Sequence, residues 1–388
     1  MPISRRLALL LLSASSLPLL QACAGDRRGP QRGGVSPQQL QLEQRMAALH
    51  AGAYQRDEPG PLSLALQQWI VRGELVPVSL AFAGSGRQLP LIVYMPGLGE
   101  SAQAGARWRQ AWARAGYAVL SVQPLDVDAR AWSSDLARAA DFKGLARHHL
   151  QPELQQQRLL VLDAVLTEAR RRAAAGDSLW TRVDFEQIAL AGYELGALTA
   201  WMADAAPVAT PRIRARLIVS PLPPAAPGSV QQQAAPTIPS GPLLAIGSRR
   251  DIDPSGLFEG TPQQRMQLFE QLPADGRHYL MMLTSASHAQ LAGPPGLDHD
   301  DAADGGMMMG GGGRQRRGGG GGGMGGGMGG GAIFGPRGGA DIQLQALAIE
   351  NASVAFFDAH LRAQPRARDW LEQEAGSWLQ GLADWRQR

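Results

Sequence analysis

Two hydrophobic periods take turns along the middle of the chain. Short apolar runs read as strands: "PVSLAFA" (Pro77–Ala83), "LPLIVYM" (Leu89–Met95), "YAVLSVQ" (Tyr117–Gln123), "FEQIALAGY" (Phe185–Tyr193), "ARLIVS" (Ala215–Ser220), "PLLAIGS" (Pro242–Ser248) and "RHYLMMLTS" (Arg277–Ser285). The first two read as adjacent strands joined by the turn "AGSGRQ". Helical spacing fills the intervals. It covers Ser101–Gly116, Leu150–Ala175 (with Leu159, Leu160, Leu162, Val165 and Leu166 on its apolar side), Leu195–Ala205, Thr261–Leu272 and Ile342–Arg362. A tail bearing Trp370, Trp378 and Trp385 also reads as helical. Strands alternating with helices predict an α/β fold with a mainly parallel central sheet covered by helices on both faces. Ligands of such sheets bind outside the carboxyl ends of the strands.

Four strand ends carry residues suited to chemistry: "PGLGE" (Pro96–Glu100), "GYELG" (Gly192–Gly196), "RRDID" (Arg249–Asp253) and "ASHAQ" (Ala286–Gln290). Their order resembles that of the α/β-hydrolase superfamily, in particular the dienelactone hydrolase and platelet-activating-factor acetylhydrolase-like esterases. "VDFEQIALAGYELGALTA", "RLLVLDAVL", "GSRRDIDP" and "FFDAHL" carry the same likeness, which spans roughly residues 70 to 365 apart from a glycine-rich block. The resemblance implies an α/β-hydrolase fold, carboxylic-ester hydrolase chemistry on a small ester-like molecule, and no cofactor or metal. It places Glu194 at the nucleophile position, Asp251 at the acid (with Asp253 as the neighbouring candidate) and His288 at the base. The backbone N–H groups of Leu98, or of Gly99, and of Leu195 would form the oxyanion hole. Such groups must converge because a hydroxyl is a poor nucleophile until an imidazole takes its proton. A carboxylate fixes the imidazole, and two N–H donors stabilise the oxyanion.

Glu194 stands where that family pattern has serine, and three readings follow. A carboxylate there can hydrogen-bond His288, hold it as imidazolium and leave no hydroxyl to acylate, which makes the site degenerate and leaves a pocket that could bind a ligand or partner. Glu194 can instead be a carboxylate nucleophile, as Asp is in related dehalogenases and epoxide hydrolases, although Glu is one methylene longer. Or a serine elsewhere acts: Ser220, Ser285 or Ser287, none on a glycine-flanked turn. The degenerate site is favoured. Gly192 and Gly196 are needed by the tight turn in every case. His148 and His149, in a polar stretch, read as solvated.

Composition refines this picture ahead of the domain and at one place within it. Residues 1–22 begin with Arg5 and Arg6, continue through "LALLLLSASSLPLL", and read as a signal peptide too short to span a bilayer. "LQAC" ends in the only cysteine, Cys23, and resembles the lipobox of bacterial lipoproteins. That resemblance implies cleavage before Cys23, a diacylglyceryl anchor, and a place in the bacterial envelope, with Ala24 favouring an outer-membrane lipoprotein facing the periplasm. Removing Arg5 and Arg6 lowers the formal charge of +3 to +1, which makes no electrostatic case for a nucleic-acid partner. Residues 23–40 read as a flexible tether and residues 41–388 as a single domain. An insertion at about 298–340, mostly glycine from Gly305 to Gly339 with Met307, Met308, Met309, Met324 and Met328, reads as disordered. Methionine clusters can hold soft metals, but a glycine expansion in a surface loop is the simpler account.

Overall fold

The computed structural model describes residues 37–54, 61–205, 213–222, 238–258, 260–294 and 336–388. The chain divides into Met1–Gln44 and Arg45–Arg388. Of the first unit only Pro37–Gln44 are described, as the opening turns of helix α1 (Pro37–Gly52). The predicted signal peptide, Cys23 and most of the insertion lie outside the described residues.

The second unit is built on one nine-stranded sheet. In chain order its elements are β1 (Leu62–Val71), β2 (Glu74–Ala83), β3 (Leu89–Met95), α2 (Ala106–Arg114), β4 (Ala118–Val122), α3 (Asp126–Ala129), α4 (Asp135–Arg138), α5 (Phe142–His149), α6 (Pro152–Ala174), β5 (Val183–Tyr193), α7 (Leu195–Met202), β6 (Ile213–Val219), β7 (Leu243–Arg250), α8 (Pro262–Arg265), β8 (His278–Ser287), α9 (His288–Leu291), α10 (Pro336–Leu361), α11 (Pro365–Asp369), α12 (Ala375–Trp378) and β9 (Ala383–Gln387). The strand order is β1-β2-β4-β3-β5-β6-β7-β8-β9. β4, β3, β5, β6, β7 and β8 run parallel, while β1, β2 and β9 pair antiparallel at the two ends.

Period-two alternation in β5 explains why the sheet is covered on both sides. Ala189, Ala191 and Tyr193 face one core with Trp112, Phe356 and Phe357 of α2 and α10. Ile188 and Leu190 face the other, with Leu159, Leu162, Val165 and Leu166 of α6 and Trp201 of α7. A strand apolar on both faces is what a central parallel strand requires. After β3 the chain turns to one side to form β4, then returns to the other side of β3 to form β5. The crevice at that reversal lies at the carboxyl ends of β3 and β5. A smaller apolar cluster of Leu98, Leu145, Leu150, Leu195, Leu222, Leu257 and Phe258 covers it.

Several expectations need correction. β2 and β3 are not neighbours, because β4 lies between them. β1 was not expected at all. It forms a hairpin with β2 through Arg72 and Gly73, both at positive φ (55° and 85°), the conformation of the tight two-residue turns that match strand twist. The Trp tail is helical only as far as Trp378, and Trp385 lies on β9, stacked on Tyr279 of β8. The stretch Thr261–Leu272 holds only one α-helical turn, α8, continued by a 3-10 segment. α10 begins at Pro336, inside the expected insertion boundary. No described helix is long and apolar enough to cross a membrane.

Candidate functional site

The turn from β5 into α7 carries Glu194 at φ 52° and ψ −110°. This is a sparsely populated conformation for an L-residue; it costs roughly 1–3 kcal/mol and persists only where its surroundings impose it. Here they do. A Cβ on Gly192 would overlap the backbone of Gly196, and one on Gly196 would overlap the Met95 carbonyl of β3. The two glycines let α7 start directly against the end of β3. The Glu194 N–H donates to the Val219 carbonyl at 3.0 Å, pinning the turn to β6.

Two elements then converge on the side chain of Glu194, a residue only 5% exposed, and a third backs one of them. The backbone N–H of Leu98, in the turn after β3, donates to Oε2 at 3.0 Å. His288, at the start of α9 after β8, places Nε2 3.3 Å from Oε1. Asp251, in the loop after β7 and fully buried, meets His288 Nδ1 at 2.7 Å through Oδ1. The Tyr193 hydroxyl donates to the His288 carbonyl at 3.0 Å and so fixes the backbone from which the imidazole projects. Burial disfavours the imidazolium. The hydrogen bonds and charges of Asp251 and Glu194 outweigh it and raise the His288 pKa to about 9.

The turn after β3 carries a second carboxyl group. The N–H of Gly97 donates to Glu100 Oε2 at 2.8 Å. Successive amides of one turn, those of Gly97 and Leu98, therefore each serve a different carboxyl group. Burial, reinforced by the charge of Glu194, pushes Glu100 up to about 7 against the lowering effect of the Gly97 N–H and of His288. Gln123 at the end of β4 donates from Nε2 to the carbonyls of Gly97 (2.9 Å) and Glu100 (3.2 Å), which ties the turn to the sheet.

A buried ion network braces the same turn from below. The Gly99 N–H donates to the Asp128 carbonyl at 2.8 Å, so it is committed there and does not serve as the alternative to Leu98 at that site. Arg158 of α6 grips the Asp128 carboxylate through Nε and Nη2, each at 2.7 Å. His149 Nδ1 meets the same carboxylate at 2.7 Å. His149 is 2% exposed, which corrects its reading as solvated; its neighbour His148 is exposed as expected. The polar stretch misled because its partners, Asp128 and Arg158, are distant in sequence.

Of the expected site residues, Glu194, Asp251 and His288 come together with the Leu98 amide. Leu195 opens α7 and packs its side chain in the cluster with Leu98. Asp253 is not at the imidazole. It accepts from the backbone N–H groups of Ser255 (2.8 Å) and Phe258 (3.2 Å) and from the Ser255 hydroxyl, so it organises its own loop. The serine alternatives also separate. Ser220 lies 3.3 Å from His288 Nδ1, on the Asp251 side of the ring, and is fully buried. Ser287 caps α9 and Ser285 bonds Gln345. None faces Nε2. Glu100 and Gln123 were not singled out from sequence. The signal for Glu100 was an acidic residue closing a glycine turn at a strand end. Among the described residues, no group of three His, Cys, Asp or Glu side chains is arranged to hold a metal ion.

Neither a family model nor a curated protein matches the chain.

Proposed function

We propose that the chain is an α/β-hydrolase-fold protein of the bacterial envelope, anchored through a lipid on Cys23, whose hydrolytic site is degenerate and serves to bind a ligand or a partner. One observation carries the reading. Glu194 uses one oxygen on the Leu98 N–H and the other on His288 Nε2. In an esterase the first group would stabilise the oxyanion and the second would take the proton of the nucleophile. Both are engaged by a side chain that has no hydroxyl to acylate. An imidazole with its pKa raised to about 9 is cationic at neutral pH and cannot act as a base.

The carboxylate-nucleophile alternative draws some support from the Leu98 N–H, since an enzyme of that type also needs one carboxylate oxygen held. It is the weaker reading, because the oxygen that should attack is the one paired with His288.

Labelling with a fluorophosphonate, alongside hydrolysis of p-nitrophenyl esters, tests the proposal on the chain as the cell processes it. The wild type should neither label nor turn over. Glu194→Ser should label, and its label should vanish when His288→Gln is added. Wild-type labelling would overturn the proposal. So would wild-type ester turnover that Glu194→Gln abolishes, which would instead make Glu194 the nucleophile.

A further inference from the structure

The two edges of the sheet are built very differently. β9 has five residues, and Asp384 and Arg386 among them pair with Arg249 and Glu270. Short length and charge are the usual means of stopping an edge strand from recruiting another strand. β1 at the opposite edge has ten residues, "LSLALQQWIV", with no charged residue and no proline. Its ladder with β2 runs from Leu62 to Val71 without a register shift, so no bulge twists it away. In an antiparallel ladder every second residue points its N–H and C=O outward. Among the described residues no strand pairs with that outer side.

The side chains repeat the message. Trp69 and Val71 turn into the core, but Leu64, Leu66 and Ile70 on the opposite face are 57%, 58% and 73% exposed. Leu75, directly across the hairpin from Ile70, is 63% exposed. The hairpin tip itself borders a groove of about 900 Å³, whose rim mixes Leu75, Pro77, Val127 and Leu160 with Arg72 and Glu74.

We propose that β1 pairs antiparallel with β1 of a second copy of this chain, joining the two nine-stranded sheets into one across a two-fold axis. Charge points to a second copy. In a homotypic strand pair every residue meets a residue drawn from the same ten, and like charges placed opposite one another destabilise the pair. A strand with no charge at any of its ten positions meets no such repulsion in any register, a condition that pairing with an unrelated strand does not impose. Extent agrees. The strand, the hairpin tip and the groove rim together approach the 20 or so residues a side, roughly, of a stable interface. Two registers keep the apolar face in line and overlap most of the strand. One puts Leu66 on the axis, with Leu64 opposite Gln68 and Leu62 opposite Ile70. The other puts Gln67 there, with Leu64 opposite Ile70.

Sedimentation velocity on the processed chain, from low to high micromolar, tests the pairing together with cysteine cross-linking. The wild type should sediment as a dimer. Leu66→Lys places a charge on each side of the axis. It should weaken the dimer at least about tenfold in Kd, a difference of 1.4 kcal/mol, with circular dichroism unchanged. In a Cys23→Ser background, Leu66→Cys or Gln67→Cys should form a disulfide-linked species of twice the chain mass. A wild type that stays monomeric throughout would overturn the proposal, and is also the result if another part of the same chain covers β1. A Leu66→Lys dimer as tight as the wild type, or cross-linking of neither cysteine variant to itself, would overturn it as well.

Discussion

Replacing Glu194 by glutamine removes one of the two carboxylates that hold His288 as imidazolium while nearly preserving shape. The glutamine carbonyl can still accept from the Leu98 N–H, and its amide can donate to a neutral imidazole nitrogen. The magnitude follows from the site. His288 rises from 6.5 to about 9 although burial works against it, so Asp251 and Glu194 together supply more than the whole shift. That span is about 3 kcal/mol of differential stabilisation of the charged form. Loss of the Glu194 share should bring His288 down by at least about one unit, or ~1.4 kcal/mol. Glu100 should fall with it, since the charge of Glu194 helps to raise that group to about 7.

The effect on stability has a definite sign. Between 6.5 and about 9 the folded wild type keeps a proton on His288 that the unfolded chain has lost. Unfolding free energy therefore falls as pH rises through that window, and the stabilisation is complete only below it. Glu100 acts in the same direction over a lower window, from 4.5 to about 7. In Glu194→Gln both declines should be shallower. An NMR titration of the ring protons, with the His288 signal assigned by loss in His288→Gln, reads the pKa directly. Urea unfolding on either side of the window reads the linkage. A wild-type His288 titrating at or below 6.5, or one that Glu194→Gln leaves unmoved, would refute the view that Glu194 holds the ring in its cationic form.

Two other perturbations probe the surroundings. Arg158→Met leaves the Asp128 carboxylate buried without its bidentate partner and should cost about 3–5 kcal/mol in urea unfolding, far more than a surface substitution; a loss near zero would remove the network as a brace for the turn after β3. Cys23→Ser should abolish incorporation of labelled palmitate and release the chain from the membrane fraction, and a variant still acylated would contradict the lipid anchor.

Much of the sheet was legible from the apolar runs, because a strand buried on both faces leaves an unbroken signature: "LPLIVYM" and β3 coincide residue for residue. Pair order was less legible. Adjacent runs invite adjacent strands, and nothing local in "AGSGRQ" records that β4 will intervene. β1 escaped because "QQ" interrupts its apolar run and the "RG" between the two runs is not one of the usual two-residue hairpin signals. At the site, turn chemistry exposed Glu194, Asp251 and His288, since each follows the end of a strand. Their pairing with Leu98 was an expectation that needed coordinates. Distances also separated Asp251 from Asp253, which are two residues apart but differ in which way they turn. Asp128, His149 and Arg158 stayed hidden, because a buried ion network assembled from three separate elements has no sequence spacing to reveal it.

The strained backbone at Glu194 has a consequence for how such turns are recognised. Its geometry is imposed by the close approach of Gly192, Gly196 and Met95, not by the residue at its apex. The pattern glycine–any–serine–any–glycine therefore joins two separable constraints, steric at its ends and reactive at its centre. A search that requires the serine detects the second constraint and overlooks chains that keep only the first. Counting the glycines and the centre separately would sort architecture from reactivity before any assay is run.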